Sequence, residues 1–313
     1  MKTRTILALG ALAWPLCLAA WAPAARADVN VFACEPEWAA LAKEVGGDHV
    51  SVFSATAGKQ DPHSIQARPG LIARVHRADL VFCTGVELEA GWLPLLILNA
   101  SNADVQPGTP GYLLAGELVH LMDVNPRADR SQGDVHAAGN HHIVTDPRNI
   151  AIVSRTLVQR LVLLDGDDAP YFESRYQDFA KRWADAIQRW QQRAEPLKGV
   201  PVVVHHKTWT YLFDWLGIRE VASLEPKPGI PPSTSHLNAV MAILRIQPAK
   251  MVVRAAFEAP RPSEYVSRET GIPAVELPYT IGGSDKATDL FSLFDDTIDR
   301  LLLGLQGKSA AGG

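Results

Sequence analysis

Histidine is the residue type whose placement in this 313-residue chain most suggests chemistry. The sequence contains ten histidines, with none in the first 27 residues, and it includes two adjacent pairs, His141-His142 and His205-His206. A neutral imidazole offers a nitrogen lone pair near neutral pH, so grouped histidines are common ligands of borderline divalent metal ions. Whether these side chains form one site depends on the elements that carry them.

The mature part of the chain alternates strand-like and helix-like segments, which predicts an α/β fold with mainly parallel sheets. Strands are predicted in the first half at 29–34, 50–55, 79–84 and 118–124, and in the second half at 200–205, 219–223, 250–255 and 274–277. Helices are predicted between them at 36–45, 69–77, 87–99, 147–164, 209–216, 235–244, 263–270 and 288–305.

One long amphipathic helix is predicted between the two halves. Apolar residues recur at 172, 176, 179, 183, 187, 190, 194 and 197, with a mean step near the helical period of about 3.6. The predicted organisation is therefore a signal peptide at 1–27, an N-terminal α/β domain at 28–166, a connecting helix at 167–198 and a C-terminal α/β domain at 199–313. A rigid connector of this kind would limit hinge motion between the domains.

The candidate ligands follow predicted strands in both halves. His63 lies in the loop after the second strand, and the pair His141-His142 follows the fourth strand and its loop. The pair His205-His206 ends the first strand of the second half, and Asp285 follows the last strand. Ligand sites of parallel α/β sheets lie at the carboxyl ends of strands, so two facing domains would bring these groups into one cleft. Three imidazoles and one carboxylate suit a divalent ion, zinc first.

Several blocks of the sequence resemble the periplasmic metal-binding proteins of ABC importers (cluster A-I, the ZnuA-like zinc branch). The blocks are Asp61-Pro62-His63, Leu88-Glu89 with Trp92, Asn140-His141-His142 with Asp146-Pro147, His206 with Tyr211-Leu212, and Glu225-Pro226 with Pro232-Ser233. This resemblance spans the mature chain and implies two α/β domains joined by a long helix. It implies a metal site in the cleft between them, with His63, His142, His206 and Asp285 as ligands.

The sequence departs from the family pattern near the second ligand. Position 141 carries His where the family usually has Pro, and position 144 carries Val where Trp is usual. The loop 125–140 is short for a zinc member, and His136 near its end is a candidate auxiliary ligand. Asp289 is the alternative to Asp285 as the carboxylate, and His236 is expected to cap or pack.

The resemblance implies an exported, monomeric binding protein that captures Zn(II) as cargo and delivers it to a membrane ABC permease. A manganese branch of the same family carries a carboxylate at the third ligand position, where this chain has His206, so the nitrogen-rich set favours zinc. The alternatives are a zinc-dependent hydrolase that uses a site of three histidines and one aspartate, and a manganese-binding or adhesin member of the same fold. No nucleotide-binding loop or hydrolase signature was found, and no catalytic residue is predicted.

The first 27 residues read as a secretory signal peptide, with Lys2 and Arg4 before an apolar stretch and a small-x-small cleavage signal at 25–27. Removing this segment deletes three bases and no acids, which brings the formal charge from −4 to −7. That balance gives no electrostatic basis for nucleic-acid binding. The remaining Cys34 and Cys83 are predicted to form a disulfide in the oxidising periplasm, the alternative being two buried thiols.

Overall fold

The structure is a computed structural model that describes residues 28–127 and 136–308, so the predicted signal peptide lies outside it. Short strands, most of them apolar and buried, form two parallel sheets of four strands each. Their bounds are β1 Val29–Ala33, β2 Val50–Ser54, β3 Leu80–Cys83, β4 Tyr112–Leu114, β5 Pro201–Val204, β6 Arg219–Ser223, β7 Met251–Ala255 and β8 Ala274–Leu277. The described residues include no helix long and apolar enough to cross a membrane.

Helices connect the strands and cover the sheets. Their bounds are α1 Pro36–Gly46, α2 Pro69–His76, α3 Leu93–Ala100, α4 Pro147–Leu164, α5 Ala169–Ala194, α6 Thr210–Leu216, α7 Thr234–Ile246, α8 Pro260–Thr270 and α9 Leu290–Leu305. Many of them begin with proline in the first turn, where its missing N–H has no intrahelical partner to lose.

The two sheets share one topology. The strand order is β2-β1-β3-β4 in the first sheet and β6-β5-β7-β8 in the second, and every pair is parallel. The carboxyl ends of all strands in a sheet therefore lie at one edge. The two-domain α/β architecture expected from the sequence is confirmed.

The long helix α5 packs against α1, α4 and α9, and so contacts both halves of the chain. Its apolar face is aromatic: Phe172, Phe179, Trp183 and Trp190 are almost fully buried. The Trp183 indole donates to the Pro147 carbonyl at 2.8 Å, so its polar atom is satisfied in the core. One continuous apolar core includes residues of both sheets and this helix, which makes α5 a structural connector.

Two predicted elements differ from the structure. The strand predicted at 118–124 is wrong, because β4 is Tyr112–Leu114 and is followed by a 3-10 turn at Ala115–Leu118. The apolar residues of the later segment contact the core in irregular backbone, and Met122 N–H donates to the Tyr211 hydroxyl at 3.0 Å instead of to a strand. The helix predicted from residue 87 begins at Leu93, since Val86 and Glu87 have positive φ values of 52° and 65°.

The predicted disulfide is present between Cys34 and Cys83. The first residue directly follows β1 and the second ends β3, and these neighbouring parallel strands place the two Cα atoms 4.8 Å apart. That separation lies within the range a disulfide allows.

Candidate metal centre

Two turns of the same design present His63 and His142. The Asp61 Oδ1 atom accepts from the His63 backbone N–H at 3.0 Å and from His63 Nδ1 at 2.8 Å. Asn140 Oδ1 accepts in the same way from the His142 backbone N–H at 2.9 Å and from His142 Nδ1 at 2.8 Å. An oxygen acceptor at Nδ1 fixes the proton there and leaves the Nε2 lone pair available to a metal ion.

His206 is oriented from the second domain by Glu225. Its Nδ1 atom lies 2.7 Å from Glu225 Oε2, and both side chains are largely buried. The same carboxylate oxygen accepts from the Gly229 backbone N–H at 2.9 Å, which fixes its position. The ring of His206 is 5.3 Å from that of His142, centroid to centroid, so the two domains meet at these side chains.

His136 has a carboxylate partner of the same kind. Its Nδ1 atom lies 3.2 Å from Glu87 Oε2, with the histidine side chain 14% exposed. Three of the histidines, His63, His136 and His206, thus each have a carboxylate behind the ring. Such carboxylates raise the basicity of the ligand nitrogen and offset part of the charge of a bound dication.

His141 lies at the centre of the histidine cluster. Its Nε2 atom is 3.0 Å from His63 Nε2, and its ring is 4.5 Å from that of His136 and 4.3 Å from that of His142. We define the histidine cluster as His63, His136, His141, His142 and His206. Within the described residues, the close group of nitrogen ligand atoms, all within 4.8 Å of one another, comes from His63, His136 and His141.

The three histidines that the resemblance favoured as ligands, His63, His142 and His206, are more widely spaced in this structure. The rings of His63 and His142 are 6.3 Å apart, and that trio is not among the close ligand groups of the described chain. The other close group there is Cys34, Cys83 and Glu89, whose two sulfur atoms are bonded to each other. The structure thus gives His141 a more central position than sequence reasoning did, and leaves the ligand set as a prediction.

The buried histidines are neutral at neutral pH. Burial, reinforced by the neighbouring histidines, holds the pKa of both His141 and His142 well below the usual range. Burial alone would raise the pKa of the Asp61 carboxyl, but the hydrogen bonds from the His63 ring and backbone outweigh it, so that pKa is lowered. A neutral ring is the state in which a histidine binds a cation.

A cavity of about 370 Å³ opens onto the cluster, and its walls include His136, Asn140, His141, His142, His206 and Lys207. A larger cavity of about 610 Å³ lies at the amino ends of the first-sheet strands and is lined by aspartates without histidine. One of these, Asp79, already accepts from the Asn30 backbone at 2.7 Å and from its side-chain amide at 3.0 Å. The histidine-lined cavity is therefore the candidate site.

The carboxylate candidates lie on or after the loop that follows β8. Asp285 is exposed there, and within the described chain its side chain makes no hydrogen bond or ion pair. Asp289 caps α9, its Oδ1 accepting from the Ser292 backbone at 2.7 Å. The loop also contacts the segment before His63, because a Cβ on Gly58 would fall 2.1 Å from the Gly282 carbonyl carbon.

Two further histidines, His205 and His236, contact strands and helices of the fold and lie outside the histidine cluster. His205 continues the β5 ladder, donating its backbone N–H to the Val253 carbonyl at 2.8 Å, and its side chain is buried. His236 lies in the first turn of α7, where its backbone N–H donates to the Ser233 cap and its Nε2 lies 3.0 Å from the Ser223 carbonyl oxygen. The contacts of His236 fit the packing role expected from the sequence.

The family model for the periplasmic zinc-uptake complex component A, ZnuA, matches residues 31–302. The chain belongs to the ZnuA family. Members of this family are metal-binding substrate-binding proteins of ABC importers and are not enzymes, which decides against the zinc-hydrolase alternative. Proteins of this class deliver a divalent metal ion to a membrane permease as transported cargo.

The sequence relatives of this family member carry different metals in their names. The chain is 21% identical over 276 residues to the manganese ABC transporter substrate-binding lipoprotein PsaA of Streptococcus anginosus, covering 85% of each chain. It is 23% identical over 295 residues to the iron ABC transporter substrate-binding lipoprotein MtsA of Streptococcus pyogenes serotype M1, covering 90% of each.

Solved structures share the fold. A crystal structure of ZnuA superposes with a TM-score of 0.74 at 20% identity, covering 88% of this chain and 98% of that one. A manganese-bound periplasmic metal-binding protein from candidatus liberibacter asiaticus gives a TM-score of 0.69 at 17% identity, covering 88% and 99%.

Proposed function

We propose that this ZnuA family member captures Zn(II) in the periplasm, after export by the signal peptide at 1–27, and delivers it as a soluble monomer to an ABC permease. His63, His142 and His206 are the proposed ligands, with Asp285 as the fourth. The observation that carries the choice of zinc is the cluster of five imidazole rings, four of which, those of His136, His141, His142 and His206, line one cavity.

The chemistry of these donors distinguishes zinc from manganese. Imidazole nitrogen suits zinc, whereas manganese prefers sites rich in carboxylate and carbonyl oxygen. In this chain the carboxylates of Asp61, Glu87 and Glu225 contact the Nδ1 side of histidines. They therefore support the ring nitrogens and do not take ligand positions themselves, so Asp285 is the one oxygen ligand of the proposed set. Relatives of the same class are named for manganese and for iron. The class of the protein is therefore established, and the identity of its metal is the part that we propose.

The ligand set is tested by zinc affinity of the mature protein, residues 28–313, in competition with a chromogenic chelator. We expect His63→Ala, His142→Ala and His206→Ala each to weaken zinc binding at least tenfold, and Asp285→Ala to weaken it less. The matched control is His76→Ala, because His76 lies at the exposed end of α2 and bonds the Ala100 carbonyl oxygen. Three unchanged affinities among the histidine variants would disprove the proposed ligand set.

A further inference from the structure

The loop that carries Asp285 begins beside the histidine cluster. It runs from residue 278, directly after β8, to residue 289, directly before α9. The ring of its Tyr279 lies 5.5 Å from the ring of His142, centroid to centroid, and its Gly282 lies against Gly58 of the first domain. The position of this loop therefore decides whether the Asp285 carboxylate reaches an ion held by the histidines.

The Asp285 side chain has no support of its own. It is exposed, and among the described residues no hydrogen bond or ion pair holds it. A side chain and loop that become ordered only when the ion binds lose conformational freedom, and this entropic cost weakens binding. A loop that is already fixed in the unbound protein avoids much of that cost.

The preceding residue, Ser284, connects the loop to the interior of the second domain. Its hydroxyl donates to Asp296 Oδ2 at 2.6 Å and accepts from the Ala287 backbone N–H at 3.2 Å. The Gly282 backbone N–H donates to the Ala287 carbonyl at 2.7 Å, which closes the same turn from its other side. Ser284 is only 5% exposed, so a buried anchor lies directly beside the exposed Asp285 in the chain.

The Asp296 carboxylate is held in turn by Arg300, which lies one turn further along α9. Arg300 Nε donates to the same Asp296 Oδ2 at 2.7 Å, and Arg300 Nη1 donates to the Glu276 carbonyl of β8 at 3.3 Å. Both members of this ion pair are buried. Burial of an ion pair costs desolvation free energy that the attraction often does not recover, so the pair is weak evidence for stability. Its geometry, which fixes the acceptor of the Ser284 hydroxyl, is the property that the loop uses.

We infer that Ser284, Asp296 and Arg300 are positioning residues for the metal ligand Asp285. This inference rests on the proposed function, which makes Asp285 the fourth ligand. The three side chains form one hydrogen-bonded chain from the ligand loop through α9 to β8. They hold the loop to a helix and a strand of the second domain, and they act on the ion only through Asp285.

The test is a double-mutant cycle on the zinc affinity of the mature protein, measured by chelator competition. The first variant is Ser284→Ala, which removes one hydroxyl and leaves the Asp296–Arg300 pair intact. We expect it to weaken zinc binding about two- to tenfold, the loss that corresponds to freeing one ordered side chain. The loss should not exceed that of Asp285→Ala. In the Asp285→Ala background, Ser284→Ala should leave the zinc affinity unchanged, because no carboxylate is left to position.

The second variant is Asp296→Asn, and Asp295→Asn is its matched control. Asp295 precedes Asp296 on α9, but its Oδ1 accepts from the Trp190 indole at 2.9 Å and lies 2.5 Å from Arg193 Nη1, both on α5. We expect Asp296→Asn to weaken zinc binding only where Asp285 is present, and Asp295→Asn to bind zinc like the wild type. An equal loss in both variants would show that disturbing α9 is sufficient, and would overturn the inference.

The outcomes separate this inference from the proposed function. An unchanged zinc affinity in Ser284→Ala, or a loss of the same size with and without Asp285, overturns the positioning role and leaves the ligand set intact. An unchanged affinity in Asp285→Ala overturns the fourth ligand together with its positioning residues, and leaves the three histidine ligands to their own test. Circular dichroism of each apo variant is recorded first, and Ser284→Ala decides the question alone if Asp296→Asn fails to fold.

Discussion

The carboxylate of Glu225 provides the sharpest test of how the second domain contributes to the site. We predict that Glu225→Gln weakens zinc binding 10- to 100-fold, as is typical when the partner of a metal-bound histidine is altered. The substitution keeps the shape of the side chain and an oxygen that accepts from His206 Nδ1. It removes the negative charge that lies 2.7 Å from that ring.

The magnitude follows from the geometry. An ion on His206 Nε2 would lie about 7 Å from Glu225 Oε2, given a Zn–N bond of about 2 Å and the 2.7 Å contact to the far side of the ring. A dication and a carboxylate at that distance attract by about 1–5 kcal/mol for effective dielectric constants between about 80 and 20. A 10- to 100-fold loss corresponds to about 1.4–2.7 kcal/mol and lies inside that range.

The assay is zinc competition with a chelator, together with the apo unfolding free energy of the same protein. Asp168→Asn is the matched control, because Asp168 Oδ2 lies 2.6 Å from His49 Nδ1 in a similar pair at the amino edge of the first sheet. We expect the control to bind zinc like the wild type. Unchanged zinc affinity in folded Glu225→Gln, or an equal loss in the control, would refute the reasoning.

Three further predictions concern single residues or bonds. His206→Ala should lower the zinc-induced stabilisation by at least half from about 2.7 kcal/mol at 100 times the wild-type dissociation constant; apo stability should fall by about 1–3 kcal/mol, because the largely buried Glu225 loses a hydrogen-bond partner, and an undiminished zinc-induced rise in melting temperature would contradict the assignment. Replacing Cys34 and Cys83 by Ala should lower the unfolding free energy by about 4 kcal/mol, because the bond closes a loop across a separation of 49 residues; equal denaturation midpoints would argue against it. Burial raises the pKa of Glu37 to about 7 from 4.5, so folding favours its protonated form, and stability is full below pH 4.5 and lost as pH rises through about 7. Glu37→Gln should therefore reduce the stability lost between pH 5 and pH 8, by up to about 3 kcal/mol, in urea titrations at both values; identical pH profiles would show that this group does not titrate there.

The sheets could be predicted because their strands are short, apolar and separated by helices with clear ends. The fourth strand could not, because its residues Tyr112–Leu114 are fewer than those of the apolar segment that follows. That later segment is fixed by tertiary hydrogen bonds, including one from the Asn140 backbone N–H to the Met122 carbonyl at 2.8 Å. Such contacts between distant segments leave no periodic signal in the sequence.

The clustering of histidines from both halves of the chain was predictable, whereas the geometry within each histidine pair was not. Parallel sheets bring strand ends together, which explains why His63 and His206 lie in one cleft. Which member of an adjacent pair points inward depends on the turn, and at Asn140 the side-chain amide also donates to the Lys207 carbonyl at 3.0 Å. The spacing shared by Asp61 and Asn140, each two residues before a histidine, was the available signal for that turn.

The choice of a control variant for His206→Ala illustrates what the structure adds to the sequence, because the neighbouring residue His205 is the obvious candidate from the sequence alone. An exposed residue pointing away from the cleft would have been a neutral control for His206. The His205 side chain is instead buried, and burial lowers its pKa. Truncating it would leave a cavity and reduce stability for reasons unrelated to metal binding. The exposed His76 is therefore the better control for histidine removal.

The central claim is that this family member selects zinc through a nitrogen-rich site. Its most direct test is a competition experiment on the purified mature protein, freed of metal and equilibrated with equal concentrations of Zn(II) and Mn(II), followed by elemental analysis. We predict that about one equivalent of zinc is retained with little manganese, and that the combined variant His63→Ala/His142→Ala/His206→Ala retains neither. Retention of manganese in preference to zinc, or zinc retention that survives the triple substitution, would contradict the account.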